Sequence, residues 1–323
     1  MKIHLAGAFG MDSIIEYNRK RSAPTTAFAS YFPFWTKLTT ADLFSANDTS
    51  PDPDAILLVI NLNQKTWDFL QPHFSCYKKK ILIQFEAKIG WEMAYTQAPF
   101  FDHFISFDRA QDSHPGFHQM FIPYDPKIAS SGRDKRGKTA LLHQWKSSRK
   151  LFLNTYLFRF LPRKKKCVLI ASLNPNLHYQ IRKTIAEKWP EDIDVFGGGW
   201  PKTMTNYRGW ISSKLDVLTR YRYCLVMENQ RQPGYITEKL LDCFPPLTIP
   251  IYWGAPDVHD YPGLDWVPTI EDENSAMDEI VNSDTLYETL KKKMLLDRQK
   301  VLDQFSTEKF IKMVCETIEI CAC

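Results

Sequence analysis

The chain has 323 residues, 44% of them hydrophobic and 24% charged, with 41 Lys and Arg against 37 Asp and Glu. That length suits about two domains, each able to bury a sizeable core. The composition excludes a disordered chain, and the net charge of +4 points to no acidic bulk partner.

The first half alternates apolar segments with connections. Lys2–Ala8, Asp54–Asn63, Lys79–Glu86, His103–Phe107 and Met120–Tyr124 are predicted strands. Ala55-Ile-Leu-Leu-Val-Ile-Asn61 and Ile81-Leu-Ile-Gln-Phe85 are near-continuously apolar, as strands buried on both faces of a parallel sheet must be. A basic stretch follows: Lys127 to Lys166 holds thirteen Lys or Arg and one acid, Asp134. Within it Phe152, Leu153, Tyr156, Leu157, Phe160 and Leu161 fall at helical spacing, with Lys150 and Arg159 on the other face.

The second half begins again with a strand at Lys166–Ala171 and a helix over about 177–189. Strand Ile193–Phe196 runs into Gly197-Gly-Gly199. Helix 212–221, strand Tyr223–Glu228, helix Glu238–Phe244 and strand Thr248–Tyr252 follow. From Ser275 the chain is predicted helical, with Leu290, Met294, Leu295, Leu302 and Phe305 as its apolar stripe. Strands alternating with helices give βαβ units, so two α/β domains are expected, 1–160 and 161–323, with a ligand cleft at the strand carboxyl ends.

The seven cysteines, Cys76, Cys167, Cys224, Cys243, Cys315, Cys321 and Cys323, include no Cys-x-x-Cys pair. Zinc is therefore not expected, and the pattern suits a reducing compartment. The opening Met-Lys-Ile-His-Leu-Ala-Gly-Ala is too short for a signal peptide, and no 18-residue apolar run occurs. A cytoplasmic protein is the resulting expectation. The basic segment 145–166 adds a possible peripheral contact with an anionic membrane, against the plainer reading of a solvated basic face.

Chemistry concentrates between Tyr221 and Asp257. Tyr223-Cys-Leu-Val-Met-Glu-Asn229 is a strand ending in polar groups, followed by the loop Gln230-Arg-Gln-Pro-Gly234. Thr237 is a good helix N-cap, which sets Glu238 and Lys239 in the first turn. Backbone N–H groups and Lys239 would meet phosphate there, and Glu238 would accept ribose hydroxyls. By residue type alone the same segment is also a capped helix with a surface Glu-Lys pair. Asp52-Pro-Asp54 and Asp192-Ile-Asp194 have the spacing of a metal motif, but one precedes a strand and the other opens one, so both are read as turn residues and no metal is expected.

Glu228-Asn229, Tyr235-Ile-Thr-Glu-Lys239 and Thr248-Ile-Pro-Ile-Tyr-Trp-Gly254 together resemble the signature of the α-1,3/4-fucosyltransferases, glycosyltransferase family 10. Thinner likeness extends to Ser172-Leu-Asn-Pro-Asn176 with Arg182, to Gly197-Gly-Gly199 and to Phe85-Glu86. The resemblance implies a GT-B fold, two Rossmann-like domains facing a central cleft. It implies GDP-fucose as co-substrate, transfer with inversion, and an N-acetylglucosamine-containing oligosaccharide or glycoconjugate as acceptor, with α-1,3 linkage preferred. By motif, Glu238 would bind ribose, and Lys239 and Arg182 the diphosphate. Asn229, Tyr235, Glu228 and Gly198 would complete the donor site. The catalytic base would be Glu86, at the end of a first-domain strand, with Glu92 and Asp108 as alternatives. His178 would share a helix face with Arg182. The first-domain loops 9–18 and 87–96 would choose the acceptor.

Two other functions stay open. One is a GT-B transferase using another nucleotide sugar, because no residue type names the sugar. The other is a basic membrane-surface-binding protein. Nucleic acid is not expected, since no basic groove interleaved with aromatics is present.

Overall fold

The computed structural model describes residues 1–7, 42–46, 50–124, 161–173, 180–211, 213–272, 275 and 277–322. They fall into two units, Met1–Pro123 with Phe305–Cys323, and Tyr124–Gln304.

The first unit is built on a parallel sheet. Its described strands are β1 (Lys2–Gly7), β2 (Asp42–Ser45), β3 (Ile56–Ile60), β4 (Lys79–Gln84), β5 (His103–Ser106) and β6 (Phe117–Gln119), in the order β2-β1-β3-β4-β5-β6. All five residues of β3 are buried, as its unbroken Ile-Leu-Leu-Val-Ile run requires. Side chains alternate across a strand. Leu57, Val59, Leu82 and Phe104 therefore share one face, where they pack with Leu70, Tyr77 and Tyr95. Leu70 comes from helix α1 (Gln64–Leu70), which Asn63 caps by accepting the Thr66 N–H; Tyr95 comes from α2 (Glu92–Gln97).

The second unit contains β7 (Lys164–Ile170), β8 (Ile193–Phe196), β9 (Tyr207–Gly209), β10 (Tyr221–Met227) and β11 (Ile249–Trp253), all parallel, in the order β11-β10-β7-β8-β9. Its helices are α3 (Gln180–Lys188), α4 (Lys214–Leu218), α5 (Glu238–Leu241), α6 (Met277–Asn282) and α7 (Asp284–Gln304). The chain builds β7, β8 and β9 outward in one direction, then returns to place β10 on the other side of β7. That reversal is a topological switch point, and open α/β sheets bind ligands at the carboxyl ends of the strands flanking it.

Several expectations need correction. The run Met120–Tyr124 is not a strand. The first sheet takes its edge strand earlier, at Phe117–Gln119, whose Phe-His-Gln sequence carries no strand pattern. Met120 only extends the ladder by one bond to Ser106, and Phe121 packs on Phe305, ring centroids 5.0 Å apart. The short edge strands β2 and β9 were not anticipated. The final helix α8 (Thr307–Ala322), expected in the second domain, groups with the first unit. Phe310 meets Phe85 at 5.4 Å between centroids, so α8 covers the sheet face opposite Tyr77 and Tyr95. In α7 the buried residues are Tyr287, Leu290, Met294 and Val301, while Leu295 is exposed. The expected domain boundary at 160–161, the helix within 151–161, most of the segment 145–166, the loop 9–18, Asn174–Asn176 and His178 lie wholly or almost wholly outside the described residues.

The described end of the basic stretch serves the fold. Arg163 donates to the Tyr221 carbonyl and the Thr248 hydroxyl, each at 3.0 Å, and to the Pro246 carbonyl. Lys164 and Lys166 approach the buried Asp194 carboxylate at 3.6 and 3.8 Å. No helix among the described residues is long and apolar enough to cross a membrane.

Candidate functional site

The carboxyl end of β10 carries a dense polar network. Glu228 follows the strand directly, and its side chain has no exposed surface. One carboxylate oxygen accepts the Thr237 N–H at 2.8 Å. The other accepts the Thr237 hydroxyl at 2.7 Å and the Lys239 ammonium at 3.1 Å. Thr237 is in turn the N-cap of α5, its hydroxyl oxygen accepting from the Lys239 N–H at 3.3 Å and the Lys239 ammonium at 3.1 Å. A buried charge must be paired and hydrogen-bonded: Lys239 pairs this one, and Thr237 completes its hydrogen bonds. Gly254, at the end of the neighbouring strand, makes room for this arrangement: a methyl group there would stand 2.7 Å from Glu228 Cγ.

Arg182, from α3, is 3% exposed. Its guanidinium donates to the Ser172 carbonyl at 3.2 Å, beyond β7, and to the Met227 and Glu228 carbonyls at 3.0 and 3.1 Å, at the end of β10. It also reaches the Asn229 side-chain oxygen at 3.3 Å. Arg182 thus spans the two strands that flank the switch point and places a fixed positive charge beneath it. The sequence expectation was contact with a diphosphate; in the structure its donors serve the strand ends.

Helix α5 is a single turn, three residues shorter than the expected Glu238–Phe244, and its backbone dipole is correspondingly small. Side-chain charge dominates instead. Glu238 lies 3.7 Å from the Lys239 ammonium and 4.0 Å from the Lys214 ammonium. Burial opposes its charge, but Lys239 and Lys214 outweigh that cost and bring its pKa down to about 2. Lys214, from α4, also pairs with Asp242 at 2.8 Å, one turn after Glu238. Asp242 accepts a further hydrogen bond from Tyr124 at 3.2 Å. Burial there outweighs Lys214, and the Asp242 pKa rises to about 6. For Lys239 burial lowers the pKa, but Glu228 and Glu238 outweigh it and hold the ammonium above its ordinary range. The result is an ionised Glu238 between two cations, with more than a third of its side chain open to solvent.

Lys214 and Asp242 were missed in the sequence. A signal existed: Asp242, the C-cap of α5, stands four residues after Glu238, and like charges so spaced repel unless a cation joins them. The loop 230–234 is pinned by Asp257, which accepts the Gly234 N–H at 2.8 Å. Tyr235 was expected to line the donor site; it is 3% exposed and its carbonyl accepts from Tyr252, so it packs the loop from inside. Gly198 lies in the turn after β8, where its carbonyl accepts from Leu173 at 2.8 Å.

In the first unit Glu86 stands two residues beyond β4 and is half-buried. Its carbonyl accepts from Gln84 and from Tyr95, each at 3.1 Å. Asn61, just past β3, ties the two strand ends by accepting the Phe85 N–H at 2.8 Å. It fixes the backbone one residue before Glu86, and the sequence reading did not select it. Of the alternative acids, Glu92 accepts the Gly90 N–H at 2.9 Å and Asp108 caps a turn at Ala110 at 3.0 Å. The Asp-x-Asp pairs have structural partners. Asp52 accepts from Lys2 and from the Asp54 N–H, and Asp194 from Tyr221 at 2.7 Å and Arg208 at 2.9 Å.

Residues 161–268, which contain this network, match the family model for the C-terminal part of glycosyltransferase family 10 (fucosyltransferase). Over 97 residues the chain is 34% identical to alpha-(1,3)-fucosyltransferase FucT of Helicobacter pylori. That match takes in 30% of this chain and spans only a fifth of the length of the relative, 20%. Among solved structures, the fold is similar to a crystal structure of an alpha1,3-fucosyltransferase, with TM-score 0.60, 21% identity, and coverage of 98% of this chain and 89% of that one. It is also similar to Anabaena HepE in complex with UDP, with TM-score 0.59, 9% identity, and coverage of 99% and 100%. These likenesses show the fold, which is GT-B with a parallel α/β sheet in each unit. The segment that carries β7 to β11 and the Glu228–Thr237–Lys239 tie is thus similar to the C-terminal part of glycosyltransferase family 10.

Proposed function

We propose that this protein transfers L-fucose from GDP-fucose to a hydroxyl of an N-acetylglucosamine-containing glycan, in α-1,3 linkage and with inversion at the anomeric carbon. The carrying observation is the ionised Glu238 held beside Lys239 and Lys214 next to the switch point of the second sheet. Support for the donor and linkage comes from the name of the H. pylori relative and from the similar fold of an alpha1,3-fucosyltransferase solved with GDP-fucose, at 19% identity and TM-score 0.55.

In this reading the Glu238 carboxylate accepts ribose hydroxyls, and Lys239 faces the diphosphate with Arg182 behind it. The acceptor oxygen attacks the anomeric carbon as the bond from that carbon to the diphosphate oxygen breaks. The electron pair leaves with GDP, where the fixed cations stabilise the growing charge. Glu86 takes the proton of the attacking hydroxyl.

The test is a donor screen with an N-acetyllactosamine acceptor, offering GDP-fucose, GDP-mannose and UDP-galactose in turn. GDP release coupled to fucosylated product is expected with GDP-fucose, and proton NMR of the product reads the anomeric configuration and the linkage position. Turnover of GDP-mannose or UDP-galactose alone overturns the donor assignment.

A further inference from the structure

Trp210, the residue after β9, is 76% exposed. Single exposed apolar side chains are ordinary on protein surfaces. Two further facts set this one apart. It stands at the carboxyl edge of the second sheet, the edge where the Glu228–Lys239 network also lies. And its ring is bedded on Gly198: a methyl group at that glycine would stand 2.7 Å from Cζ2 and 2.8 Å from Cη2 of the indole. The missing side chain in the turn after β8 is what lets the ring settle on backbone while most of its surface stays open.

The position relative to the switch point follows from the strand order. Gly198 lies beyond β8, and β8 neighbours β7, which flanks the switch point. Strands stand about 4.8 Å apart, so the ring is about 7 Å along the edge from the crevice between β7 and β10. The chain supplies a second bound. Lys214 is four residues beyond Trp210 and its ammonium is 4.0 Å from Glu238. Four residues reach at most about 14 Å between Cα atoms. The chain therefore keeps Trp210 in the neighbourhood of Lys214, whose ammonium pairs with the carboxylate assigned to ribose.

The geometry points to Trp210 as the stacking platform for the planar base of the donor nucleotide, set on Gly198 for that purpose. This inference rests on the nucleotide-sugar reading above. Stacking on an indole is tolerant of base identity, because every base offers a π-face. Trp210 then contributes affinity that is the same in the ground and transition states, so it acts on KM and leaves kcat in place.

The experiment compares the full-length protein with Trp210→Ala and Trp210→Phe, both at an exposed position where folding is not at stake. GDP binding is measured by calorimetry and by quenching of indole emission, and GDP-fucose turnover by steady-state kinetics. Trp210→Ala is expected to weaken GDP about tenfold and to raise KM for GDP-fucose in step, at unchanged kcat. Trp210→Phe keeps a ring and should recover most of the affinity while losing the Trp210 part of the quench. If the wild-type protein binds GDP and Trp210→Ala binds it as tightly, the platform assignment falls and the nucleotide-sugar reading stands. If only the KM for the glycan acceptor moves, the ring serves the acceptor and the assignment to the base is overturned. If the wild-type protein binds no GDP, both fall together.

Discussion

The Glu228 carboxylate takes both the backbone N–H and the hydroxyl of Thr237, nine residues further on, at 2.8 and 2.7 Å. The strand end and the helix cap are thereby one piece, and the loop between them has its length and exit direction set. Lys239 hangs from the same two groups, so its ammonium is held in place before any ligand arrives. Such preorganisation is what a charge-stabilising site requires.

Glu228→Ala is expected to destabilise the protein by about 3 kcal/mol or more, because it strands the Lys239 charge and the Thr237 donors in a buried setting. Glu228→Gln should cost less, since its amide oxygen still accepts from Thr237. Urea unfolding of both variants checks the order. Equal stability of Glu228→Ala and the wild type would contradict the tie.

Lys239→Met removes the ammonium but keeps much of the stem. A fall in kcat/KM for GDP-fucose of about a hundredfold is expected, the scale seen when a preorganised charge partner is lost. Melting must be followed alongside, since Glu228 is left without its cation. A variant that melts lower yet turns over normally would give Lys239 a purely structural role.

Asp242 offers a pH test. Its pKa stands at about 6 in the folded protein against 3.8 ordinarily, so between those values the native state binds more protons than the unfolded chain. Stability from this group therefore falls as pH rises from about 4 to 6, by on the order of 2–3 kcal/mol. Asp242→Asn lacks that titration. Unfolding measured at pH 4.5 and 7.5 should show the wild type losing ground to the variant at the higher pH. A pH-independent difference would refute it.

Glu86→Gln should lower kcat by a factor of about 10² to 10⁴ and leave the Kd for GDP unchanged, as expected for a lost general base. Asn61→Ala, which frees the Phe85 N–H, should reduce kcat less and also loosen the β3–β4 strand ends. Transfer at the wild-type rate by Glu86→Gln would remove Glu86 from the mechanism.

Much of the second unit was legible. Thr237 was readable as a cap from its place before Glu-Lys, and it is one. Cys167, Cys224 and Cys243 were readable as buried thiols, and all three are buried. The short edge strands were not readable, because Tyr207–Gly209 and Phe117–Gln119 are held by one neighbour and need no apolar run. The strand expected at Met120–Tyr124 failed for the converse reason: its apolar residues answer to packing, with Phe121 on Phe305, and not to a sheet.

The sequence by itself determined the alternation of strands and helices, the polar strand end at Glu228-Asn229 and the Thr237-Glu238-Lys239 cap, because these depend on neighbours along the chain. Only the tertiary structure decided which sheet α8 covers, that Lys214 joins Glu238 to Asp242, that Arg182 spans β7 and β10, and that Trp210 rests on Gly198. Each of those joins groups from separate elements. An apolar helix face or a charged side chain records that it needs a partner, and not which partner the packing will bring.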